Sequence, residues 1–168
     1  MGINVKAVIL FRLCKRFQML YILLIALLLI PILAGCVQAK KSITAEDFRT
    51  TMEGMGYNVS DTSEEYAEDD FIQTCVGFVD AGLQVSFFEI DATDNAFEYY
   101  LLKKAFLADK KGNDFHDGSY QAKSQSEYKL KTSKHYYYVA QVKTTVIYSE
   151  CPISEATRLD DIIKAIGY

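Results

Sequence analysis

The chain has 168 residues, enough for one domain of ordinary size behind a targeting segment. Its 18 Lys and Arg face 22 Asp and Glu; four of the bases and none of the acids precede Cys36, which leaves residues 36–168 at about −8. An acidic body argues against nucleic acid, whose affinity comes from neutralised phosphates, and against lying flat on an anionic bilayer.

The first stretch is built for export. Lys6, Arg12, Lys15 and Arg16 give a positive start, and Met19 to Ile30 is apolar throughout. Pro31 stops the helix that such a core forms, and Ala34 and Gly35 are small enough to enter a peptidase site. Cys36 follows, a thiol suited to accept a lipid. Leu33-Ala34-Gly35-Cys36 resembles a bacterial lipobox. The resemblance implies that residues 1–35 are a signal peptide that is removed. It also implies a diacylglyceryl group on Cys36 and a body held on the outer face of the cytoplasmic membrane. An uncut anchor is the rival reading, with Phe17 to Leu33 at the short end of the roughly 17–25 residues that span a bilayer. Residues 36–42 then read as the lipidated Cys and a short polar tether, with Lys40 and Lys41 close to the headgroups, and 43–168 as one domain.

Thr44 and Asp47 form a capping-box pattern, Ile43 and Phe48 a hydrophobic staple, and Phe48, Met52 and Met55 one apolar stripe. A helix is expected there, stopped at Gly56. Asp61 to Asp70 carries six acids but lacks the spacing of a calcium loop, so it reads as a solvated segment. Phe71 to Val79 and Leu83 to Ile90 read as a hairpin around Asp80-Ala81-Gly82, apolar on both faces and hence well covered. A second helix is expected from about Thr93 to Lys110, with Phe97, Leu101, Ala105 and Ala108 on its buried face.

Gly112 to Gly118 reads as a turn-rich loop, and Tyr120 to Ser126 as an edge strand or loop. In the Gly112–Gly118 loop, Asn113, Asp114, His116 and Asp117 are potential metal or acid–base groups, but one histidine with loop carboxylates falls short of a metal site. Glu127 to Thr132, Tyr136 to Val142 and Thr145 to Glu150 read as strands, closed by Pro152. The last helix, capped by Ser154, carries the stripe Leu159, Ile162, Ile163, Ile166 and stops at Gly167.

This order predicts an α+β fold, a mostly antiparallel sheet with about three helices packed on one face. Cys75 and Cys151 either form a disulfide, which an oxidising compartment permits, or stay two separate buried thiols. The opening Thr44, Phe48, Gly56, Tyr57 and the late Tyr137-Tyr138-Val139…Ile147-Tyr148 resemble small Gram-positive lipoproteins of unknown function. That resemblance brings no activity.

With only His116 and His135, and neither GxSxG nor HExxH, the chain offers no catalytic set and calls for no cofactor. The expected function is a lipid-anchored binding or interaction module of the envelope. Its partner would be an envelope protein or wall glycan, met through Tyr128, Tyr136, Tyr138 and Tyr148, although strand aromatics usually pack in sheets. An accessory subunit of a transporter or secretion complex is the alternative, and an envelope hydrolase a more distant one.

Overall fold

A computed structural model describes residues 40–112 and 115–168. The lipobox and its Cys36 lie outside the described residues, as do Asn113 and Asp114.

The described chain runs α1 (Ala45–Gly54), β1 (Ser60–Asp61), a 3-10 turn (Ser63–Tyr66), β2 (Ile72–Asp80), β3 (Leu83–Ile90) and α2 (Thr93–Ala108). It continues with β4 (Phe115–Ala122), β5 (Gln125–Thr132), β6 (His135–Val142), β7 (Thr145–Pro152), a second 3-10 turn (Ile153–Glu155) and α3 (Ala156–Ala165). All seven strands join one antiparallel sheet in the order β1-β2-β3-β7-β6-β5-β4. The fold is α+β. The hairpin β2–β3 closes on Ala81 and Gly82, both at positive φ, as a type I′ turn requires. Helix α2 then carries the chain to the far edge, and β4 to β7 return as a meander until β7 pairs with β3.

The helices do not share one face, contrary to expectation. α1 and α3 cover one side, where Phe48, Met52, Leu159 and Ile162 meet Val85, Phe87, Tyr138 and Ile147. α2 covers the other, where Ala96, Tyr99, Tyr100 and Leu107 meet Phe88, Leu130, Val139 and Val146. The central strands require this, since β3, β6 and β7 are apolar on both sides and each side must be kept from water.

Local signals at α1 hold closely. The Thr44 hydroxyl accepts from the Asp47 N–H at 3.1 Å, and the Asp47 carboxylate accepts from the Thr44 N–H at 3.0 Å. Those bonds hold the Asp47 carboxyl below its ordinary range. Met55 is exposed, so the stripe ends at Met52, and Gly56 follows at a φ of 88°. In α2 the expected stripe is displaced. Leu101 and Phe106 are exposed, and the buried line is Ala96, Tyr99, Tyr100 and Leu107. Tyrosine rings supply the apolar area there, so a hydropathy stripe points the wrong way. α3 buries Leu159, Ile162 and Ile163 as read, but Ser154 lies in the preceding 3-10 turn and caps nothing.

Candidate functional site

The tyrosines expected to form one surface are divided by the sheet. Tyr136 and Tyr138 point toward α3, and Tyr128 and Tyr148 toward α2. Tyr128, Tyr136 and Tyr138 are 2%, 2% and 0% exposed and Tyr148 is half-buried, so the four do not form one exposed surface. The two cysteines are likewise on opposite faces, Cys75 under α2 and Cys151 under α3, and both thiols are free. A bridge would have to pass through the sheet. Burial pushes each thiol up to about 11, so neither is a reactive thiolate at neutral pH.

The expected loop at Gly112 to Gly118 is also revised, because residues 115–118 belong to β4. Alternation turns the His116 side chain to the α3 side of β4 and the Asp117 side chain toward Lys111 on the α2 side, although both residues border the groove between α3 and the outer strands. Asp117 pairs with Lys111, whose hydrogen bond holds the Asp117 carboxyl below its ordinary range.

What the fold does assemble is a groove of about 630 Å³ between α3 and the outer strands. β5 supplies Lys129 and Lys131, because Tyr128 and Leu130 take the buried side and alternation turns the lysines to the other. β4 supplies His116, Asp117 and Gly118, and α3 supplies Asp160 and Lys164 from the flank beside its buried stripe. Tyr136 forms part of the lining, donating its hydroxyl to Asp160 Oδ1 at 2.8 Å. Burial, and next that bond, push the Tyr136 hydroxyl up, so it stays protonated and donating.

Next to the groove, Glu127 accepts from the Tyr138 hydroxyl at 3.2 Å and pairs with Lys129 Nζ at 3.0 Å and Lys40 Nζ at 3.3 Å. Burial raises its carboxyl, but the bonds and charges of Lys129 and Lys40 outweigh burial and hold it below its ordinary range. Lys131 Nζ stands 4.9 Å from the Tyr136 ring centroid. Among the described residues, neither Lys131 nor Lys164 has a carboxylate within ion-pair distance. The groove therefore offers two free ammonium groups and an imidazole, with its two carboxylates already engaged, Asp160 by Tyr136 and Asp117 by Lys111. Its chemistry is attraction of anionic groups.

The groove was not singled out from sequence. The available signal was the Lys129–Lys131 spacing opposite Tyr128 and Leu130, which marks one exposed face of a half-buried strand. Among the described residues no helix is long and apolar enough to cross a membrane. Comparison of the chain with protein-family models, curated proteins and solved structures returned no match.

Proposed function

We propose that the protein is a lipid-anchored extracytoplasmic module that binds an anionic partner in the groove between α3 and β4–β5. The observation that carries the binding half is the presence of uncompensated lysines in one groove of a strongly acidic body. In such a body a basic groove steers anionic ligands and turns cationic ones away. The anchoring half rests on Leu33 to Cys36 and the basic, apolar stretch before it. Four peptide steps separate Cys36 from Lys40, at most roughly 14 Å of extended chain. A lipid on Cys36 therefore holds the domain by the end where Lys40 meets Gln125 and Glu127. Lys40 and Ser42, read from sequence as part of the tether, dock on the sheet.

The anchor is tested by feeding a labelled fatty acid to cells making the full chain or Cys36→Ser. Label in the first and not in the second is expected, and equal label in both defeats the reading. Crosslinking in intact cells then compares the chain with Lys131→Glu/Lys164→Glu. A dominant partner lost with the lysines supports the groove, and a partner kept by the double variant refutes it.

A further inference from the structure

We infer that the outer edge of β4 and the lysine groove beside it form one site, which takes an extended acidic peptide segment as an eighth strand. This rests on the groove reading above and names the class of partner.

The first observation is the edge itself. β1 ends the other side of the sheet with two residues, too short to template a partner. β4 has eight, exposed at every position but the last, with no Pro, Lys, Arg or bulge to blunt it. Its only carboxylate, Asp117, is neutralised by Lys111. The turn between Ala122 and Gln125 has two residues, so those two form a hydrogen-bonded pair and the pattern alternates from there. Tyr120, Gly118 and His116 thus bond to β5, while Phe115, Asp117, Ser119 and Gln121 aim their N–H and C=O outward. Among the described residues no backbone bond reaches those outward groups.

The second observation is charge. Gly118 sits opposite Lys129, and nothing lies within 4 Å of where its side chain would start. A side chain on an added strand can pass over Gly118 into the groove. Strands lie about 4.8 Å apart, so Glu on the added strand and Lys on β5 span the gap together. Backbone bonds then give affinity and the lysines select acidic side chains. A second copy fits less well. Two β4 strands laid antiparallel across Gly118 keep the same face up and bring two lysine rows into one field, with no acid on that face of β4 to meet them.

The test uses the full chain in detergent micelles and a fluorescein-labelled peptide of about nine residues alternating Glu and Thr. Binding is expected, and none by the Lys–Thr counterpart. Lys131→Glu/Lys164→Glu should weaken it about tenfold or more. So should Ser119→Pro, which removes one outward donor and leaves the β4–β5 bonds intact, and so should N-methylation of the peptide backbone. Circular dichroism checks that each variant stays folded. Loss with the lysine variant alone, with Ser119→Pro and N-methylation harmless, overturns strand addition and leaves the groove reading standing. Polyphosphate binding with no peptide binding overturns the peptide as partner. A micelle-corrected dimer that Ser119→Pro dissolves assigns the edge to a second copy and overturns the inference. Equal binding of both peptides, unaffected by the lysines, defeats both readings.

Discussion

β6 and β4 are strands of equal length, two places apart in the same sheet, and their surroundings are opposite. Every residue of β6 after His135 is buried, with α3 on one side and α2 on the other. β4 has β5 on one flank and, among the described residues, no strand on the other, and its residues are exposed up to Ala122. Both contain aromatics, so composition alone does not separate them. Place in the sheet decides which strand holds the fold together and which is free to meet another molecule.

The comparison breaks most sharply at tyrosine. Tyr138→Ala empties a fully buried site and leaves Glu127 without its hydroxyl donor, so it should cost about 3–5 kcal/mol in chemical denaturation. Tyr120→Ala on β4, half exposed, should stay within about 0.5 kcal/mol. Equal losses at both sites would mean that β4 is packed as β6 is.

Glycine sharpens the same contrast at a smaller scale. A methyl group on Gly77 would fall 2.5 Å from the Val85 carbonyl oxygen, which belongs to backbone and cannot swing away. Gly77→Ala should cost about 1–3 kcal/mol. Gly118→Ala meets nothing within 4 Å and should leave the unfolding midpoint where it is.

Thiol chemistry reads the two faces separately. With the native chain at pH 8, Cys75 and Cys151 should resist iodoacetamide, as site-resolved mass spectrometry reports, and denaturant should release both. Modification of Cys75 alone would show that the α2 face opens more readily than the α1–α3 face.

The smallest effect is acid sensitivity. Asp47, Asp61 and Glu127 have folded pKa values held below their ordinary ones, Asp61 by its hydrogen bonds from Ser63. Their contribution is complete above the ordinary carboxylate range and is lost as pH falls through the lower folded values, below about pH 4. The melting midpoint should drop between pH 5 and pH 3, and Asp47→Asn should make that drop smaller. An unchanged drop would mean that the capping box is not a source of the acid response.

Much of the fold was legible in the chain. The capping box of α1, the glycine stop after it, the β2–β3 hairpin and the α3 stripe are local patterns, and each formed where the residues placed it. The first half of β4 was not legible, and its second half was read only as an edge strand or loop, because a strand exposed on both faces shows no alternation and its Gly and Asp residues look like a turn. The buried face of α2 was misread for a related reason, since tyrosines and not aliphatic residues fill it.

The sequence by itself determined the periodicity of each element, the acidic balance of the body, and the basic, apolar stretch that runs into Leu33–Cys36. Tertiary structure alone decided that α2 crosses to the face opposite α1 and α3, so that Tyr128 and Cys75 are buried under α2 while Tyr136, Tyr138 and Cys151 are buried on the other face. It also decided that Lys129, Lys131 and Lys164 share one groove. The physical reason is range. Caps, turns and stripes are set by neighbours within a few residues, whereas the groove depends on residues brought together only when the meander lays β4 and β5 beside α3.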